Sequence, residues 1–109
     1  MLEWIKVAEN IPVKEAFIRK VKAGNHNLCL VGSEGKFFAV SSKCPHAGGE
    51  LAGGWCEAGK IVCPIHRYQY DLETGKGAAG QGDYIDVFPV EVRADGIYVG
   101  LKKWWSLFG

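Results

Sequence analysis

The sequence predicts an all-β domain built from short antiparallel strands. Three observations carry that expectation. Apolar residues alternate with polar ones or form short apolar runs, turn-forming residues recur every 6 to 12 positions, and sustained helical spacing is scarce. The 15 glycines suit a chain rich in loops and tight turns. A chain of 109 residues makes a single domain, 1–109, with one modest core.

The first strand is expected over Trp4-Ile5-Lys6-Val7, which alternates and is broken by Asn10-Ile11-Pro12. Residues 13–16 form either one helical turn or a loop. Residues 17–21 read as a second strand, with Arg19, Lys20 and Lys22 outward and a turn at Ala23-Gly24-Asn25. Two apolar runs, 26–31 and 36–40, flank Gly32-Ser33-Glu34-Gly35 and signal a hairpin. Glycines crowd residues 47–54, where they allow tight turns and close backbone approach. Ile61-Val62 is a short strand, and 68–72 is another, turned by Glu73-Thr74-Gly75-Lys76. Residues 77–83 read as a flexible loop. Residues 84–92 and 97–101 form a closing hairpin about Ala94-Asp95-Gly96. Pro89 lacks an N–H, so its strand is an edge or is interrupted there. Seven to nine strands of this kind point to a sandwich or barrel.

The charge balance gives no reason to propose nucleic acid as a partner, since 13 basic residues face 12 acidic ones and the net charge is +1. Met1-Leu2-Glu3-Trp4-Ile5-Lys6 lacks a basic region followed by an apolar run, which argues against a secretory signal. No stretch approaches the ~20 apolar residues that cross a bilayer. The expectation is a soluble, cytoplasmic protein with no membrane partner. In that reducing compartment Cys29 and Cys56 are expected as buried free thiols rather than a disulfide.

Chemistry concentrates in two clips, Cys44-Pro45-His46 and Cys63-Pro64-Ile65-His66, separated by the sixteen residues 47–62. Each supplies one thiol and one imidazole. Four soft donors in two compact clips make a metal site, and structural zinc is the bland alternative. Zinc fingers usually pair Cys with Cys and His with His, whereas each clip here is mixed.

Mixed clips in this order and at this gap resemble the binding signature of Rieske proteins, where two Cys hold one iron of a 2Fe–2S cluster and two His hold the other. Tyr70-Asp71-Leu72, Thr74-Gly75-Lys76 and the closing Ile97-Tyr98-Val99 extend the resemblance over roughly residues 3–101. It implies three stacked antiparallel sheets, with a small cluster-binding subdomain made of two loops at approximately 42–72. It also implies one 2Fe–2S cluster held by Cys44, His46, Cys63 and His66. With neutral imidazoles such a centre is uncharged when oxidised and singly negative when reduced, so His ligation favours taking up an electron.

The resemblance also says which member of the family to expect. High-potential Rieske proteins have a disulfide beside the cluster at the positions of Gly49 and Ile65, and a serine at the position of Tyr68. None of these features is present. Tyr70 matches a tyrosine whose hydroxyl bonds the first cysteine's sulfur, here Cys44; otherwise it is a core aromatic. One sulfur donor in place of two, and no disulfide, imply the lower part of the Rieske range, which begins at about −150 mV.

The catalytic half of an oxygenase needs a second iron held by two His and a carboxylate. With three histidines in the chain, two of them in the clips, only His26 is left over. The expectation is therefore an electron carrier rather than an enzyme, with no catalytic residues and with a monomer favoured. By resemblance it takes electrons from an NAD(P)H-dependent flavoprotein reductase and passes them to a terminal oxygenase. The alternatives are the small subunit of a cytoplasmic nitrite reductase or a redox sensor module. Lys43, Ala47, Ile65 and Arg67 form a candidate docking rim; otherwise its charges are ordinary solvated ones. His26 reads as a surface or half-buried histidine. The apolar tail 102–109, with Trp104, Trp105, Leu107 and Phe108, either packs back on the sheet or meets a partner.

Overall fold

The structure is a computed structural model and describes residues 2–11, 15–45, 48–65 and 67–102. Ten strands and one single-turn 3-10 helix occur among these residues. They are β1 (Leu2–Ala8), β2 (Phe17–Ala23), β3 (His26–Ser33), β4 (Lys36–Ser41), the 3-10 turn Leu51–Gly53, β5 (Trp55–Glu57), β6 (Lys60–Val62), β7 (Gln69–Asp71), β8 (Val87–Phe88), β9 (Val90–Arg93) and β10 (Gly96–Lys102). They form three antiparallel sheets in the orders β1-β10-β9, β2-β3-β4-β8 and β5-β6-β7.

The four-stranded sheet is the centre of the molecule. On β3, Leu28 and Leu30 point to one face and Cys29 and Val31 to the other. Leu28 and Leu30 join Val21, Ala39, Ile97, Val99 and Leu101 in a core against the β1-β10-β9 sheet. Cys29 and Val31 join Val40, Leu51, Ile61, Tyr70 and Leu72 in a second core against the β5-β6-β7 sheet. This is why residues 28–31 are uniformly apolar rather than alternating: the strand is buried on both faces.

The observed elements differ from the expected ones in instructive ways. The β3–β4 hairpin runs to Ser33 and turns on Glu34-Gly35 alone. Both of these residues have positive φ (52° and 77°), as a two-residue type I′ turn requires. The strand β5 was not expected; its turn, Ala58-Gly59, again has two positive φ values, 51° and 77°. The long strand expected over 84–92 is cut at Pro89 into β8 and β9, which edge two different sheets. Pro89 is thus both an interruption and an edge residue, as a residue without an N–H demands.

The loop 77–83, expected to be flexible, is tied down. The Ala78 N–H donates to the Gln69 carbonyl, the Gly77 N–H donates to the Asp83 carbonyl, and the Gln81 side chain both donates to and accepts from the Gln69 backbone. Cys29 and Cys56 are free thiols, the first buried and the second half-buried. No helix among the described residues is long and apolar enough to cross a membrane. Residues 12–14 and 103–109, which include half of the expected turn at 13–16 and all four large apolar residues of the tail, lie outside the described residues.

Candidate metal centre

Two loops bring the clip cysteines together. In each, the cysteine N–H donates to the carbonyl five residues on: Cys44 to Gly49 at 2.8 Å, and Cys63 to Tyr68 at 2.8 Å. In each, the fourth residue after the cysteine has a left-handed backbone: Gly48 at φ 69° and Arg67 at φ 56°. The loops are therefore conformational counterparts, and Arg67 stands where its counterpart is glycine. A non-glycine residue there costs about 1 kcal/mol of backbone strain.

The two cysteines are fully buried and their side chains are neighbours. The Ile65 N–H donates to the Cys63 sulfur. Burial pushes the Cys63 thiol up, the Ile65 N–H pulls it down, and neighbouring Cys44 pushes it up again. The Tyr70 hydroxyl lies 3.2 Å from the Cys44 sulfur and donates to Asp83 Oδ2 at 3.0 Å. Tyr70 is fully buried, and burial first, then its bonds to Cys44 and Asp83, hold its phenol far above the usual range. Tyr68 is half-buried and packs on the same core.

Gly49 approaches this pair closely. A Cβ placed on it would lie 2.6 Å from Ile65 Cδ1 and 3.4 Å from the Cys63 sulfur. The Ile65 side chain thus fills the space beside Gly49, the two positions at which resemblance places the disulfide of high-potential members. Ile65 is 40% exposed, and Lys43, Pro45, Gly48, Pro64 and Arg67 are exposed as well. Ala47, His46 and His66 lie outside the described residues. Among the described residues no third Cys, His, Asp or Glu joins the two thiols in a metal-binding group. His26 lines a surface cleft with Trp4 and Lys6.

The donor chemistry fits an iron–sulfur centre. Two thiols from separate loops meet in a buried place, with the Ile65 N–H at the Cys63 sulfur and the Tyr70 hydroxyl 3.2 Å from the Cys44 sulfur. That is what a pair of metal-bound thiolates needs. Cys29 and Cys56 do not join this pair in a metal-binding group among the described residues; burial pushes Cys29 up to about 11 and raises Cys56 as well.

Asp83 and Gln81 were missed at the level of sequence. Both sit in a glycine-flanked loop with no periodicity of its own, and only the fold shows that the loop packs back along β7.

Comparisons with known proteins bear on the same residues. The Rieske [2Fe-2S] domain matches residues 3–88. The chain is 32% identical over 80 residues to the ferredoxin component of the alkene monooxygenase system of Xanthobacter autotrophicus (strain ATCC BAA-1158 / Py2), covering 72% of this chain and 66% of that one. It is also 32% identical over 87 residues to human apoptosis-inducing factor 3. That match takes in 79% of this chain but only 14% of the human protein's length. Among solved structures, a chain of the complex of reduced oxygenase and oxidized ferredoxin in carbazole 1,9a-dioxygenase superposes with a TM-score of 0.77 at 28% identity, covering 88% of this chain and 91% of that one. The chain belongs to the Rieske [2Fe-2S] domain family, and one Rieske 2Fe–2S cluster is its cofactor.

Proposed function

We propose that this protein is a monomeric, cytoplasmic one-electron carrier that receives electrons from an NAD(P)H-dependent flavoprotein reductase and delivers them to a terminal oxygenase. Cys44 and Cys63 would hold one iron of the cluster and His46 and His66 the other, within a subdomain spanning approximately 42–72. The observation that carries this reading is the meeting of two buried thiols from two matched loops beneath an exposed rim. When bound, the cluster takes up and gives back a single electron.

The chain's own part is positioning and shielding. Burial keeps water from both sulfurs. The Ile65 N–H, aimed at the Cys63 sulfur, spreads negative charge on that ligand. Ile65, which stands in the disulfide position, offers an apolar contact at the tip. Lys43 and Arg67, both exposed, would add positive charge to that rim, suited to a partner with an acidic face. The likeness to the ferredoxin of an alkene monooxygenase system supports an oxygenase as the electron acceptor.

The test is a reconstituted assay with a flavoprotein reductase and an oxygenase of the ferredoxin-dependent type. Electron delivery that requires this protein, and that Cys63→Ser abolishes along with visible colour, is the expected result. Tight co-purification with a sirohaem-containing subunit and no delivery to any oxygenase would contradict the proposal.

A further inference from the structure

The Tyr70 hydroxyl has two neighbours and one hydrogen. Its oxygen lies 3.2 Å from the Cys44 sulfur and 3.0 Å from Asp83 Oδ2. If Cys44 is a thiolate on iron, both neighbours are acceptors and only one receives the hydrogen. Strength decides between them. A carboxylate concentrates its charge on two small oxygens and is a charge-assisted acceptor about twice as strong as a neutral one, whereas an iron-bound thiolate gives part of its charge to the metal and spreads the rest over a large sulfur.

Asp83 is also built to stay in place. Gln81 Nε2 donates to its other oxygen, Oδ1, at 3.3 Å, and Gln81 is itself clamped to Gln69 by an N–H···Oε1 bond of 2.9 Å and an Nε2···O bond of 3.0 Å. The Gly77 N–H binds the Asp83 carbonyl at 3.1 Å. The side chain and the backbone of Asp83 are both anchored, and its second oxygen remains aimed at Tyr70.

We propose that Asp83 is a positioning residue that draws the Tyr70 hydroxyl hydrogen away from the Cys44 sulfur, and so lowers the reduction potential of the cluster-loaded protein. The inference rests on the reading of Cys44 as a cluster ligand. A hydrogen bond to a ligand sulfur stabilises the extra negative charge of the reduced state. With the hydrogen turned to Asp83, the phenol instead presents a lone pair to the sulfur and that stabilisation is lost. Tyr70 is then a donor held in reserve, and the loop 77–83 is the element that holds it there.

The test is a double-mutant cycle on the midpoint potential of the loaded protein, using the wild type, Tyr70→Phe, Asp83→Ala and the double variant. Asp83→Ala is expected to shift the midpoint upward. Tyr70→Phe is expected to shift it little beside Asp83 and clearly downward in the Asp83→Ala background. The difference between those two shifts should reach about tenfold in the equilibrium constant for one-electron reduction, the worth of a hydrogen bond to a charged group. Additive shifts would overturn the proposal, because Asp83 would then act through its charge alone.

A second readout needs no change at Asp83. Hyperfine spectra of the reduced wild type and Tyr70→Phe, both in deuterated water, should show the same exchangeable couplings. A coupled deuteron lost on Tyr70→Phe would overturn the proposal. A wild-type protein that gives no iron–sulfur signal at all overturns the ligand reading, and this proposal falls with it.

Discussion

Arg67 holds a left-handed backbone (φ 56°) in a loop whose counterpart position is Gly48. Its side chain is exposed, two residues along the chain from Ile65. A residue kept at a strained position on an exposed rim is more readily explained by what its side chain meets than by the fold. Arg67→Glu should slow electron delivery to the oxygenase at low ionic strength, with the deficit shrinking as salt rises through the range where the Debye length falls below about 10 Å. Stopped-flow rates at several salt concentrations check this, and unchanged rates at low salt would remove Arg67 from the docking surface. At this scale the sequence was highly legible where chemistry constrains residue type. Cys44 and Cys63 could be picked out by the pattern of the two clips, while Tyr70 and the missing disulfide at Gly49 and Ile65 were read by resemblance. Asp83 was not legible, because its relation to Tyr70 is made by packing across thirteen residues and leaves no local pattern.

Among the elements, the turns define the site more than the strands do. The turn after β7 has Asp71 Oδ1 accepting the N–H groups of Glu73 and Thr74, and it closes on Gly75 at φ 79°. A Cβ on Gly75 would lie 2.0 Å from the Ile85 carbonyl oxygen, a backbone atom with little room to yield. Gly75→Ala should therefore cost about 2–5 kcal/mol, from left-handed strain and overlap together, as read by chemical denaturation. The strands with strong alternation or long apolar runs were legible in the sequence. The strand β5 was not, because three residues, Trp55-Cys56-Glu57, are too few to establish a period. Nor was the split of residues 87–93 between two sheets legible beyond the warning that Pro89 gave. The loop 77–83 read as mobile because its composition is that of a mobile loop, and hydrogen bonds to β7 overrule composition there.

Seen whole, the molecule is a central sheet with a core on each face, and the two cores have separate duties. One joins the four-stranded sheet to β1-β10-β9 and holds the domain together. The other runs from Cys29 and Val31 through Ile61 and Tyr70 to Cys44 and Cys63, so the candidate centre is part of a core rather than an appendage. Leu30 is fully buried on the first side. Leu30→Ala should cost about 2–5 kcal/mol of stability and leave the midpoint potential of the loaded protein unchanged. A midpoint that moved with Leu30 would show that the two cores are not independent. The all-β class and the antiparallel pairing follow from periodicity and turn chemistry. The three-sheet arrangement does not follow from them and came by resemblance, because which sheet a strand joins is set by long-range contacts.

The central claim is that these two loops make a Rieske centre of low potential. An EPR-monitored redox titration of the purified protein tests it most directly. The account predicts one unpaired electron per chain on reduction, and a midpoint in the lower part of a range that begins at about −150 mV. A colourless protein with one zinc per chain, or a midpoint above about +150 mV, would contradict it.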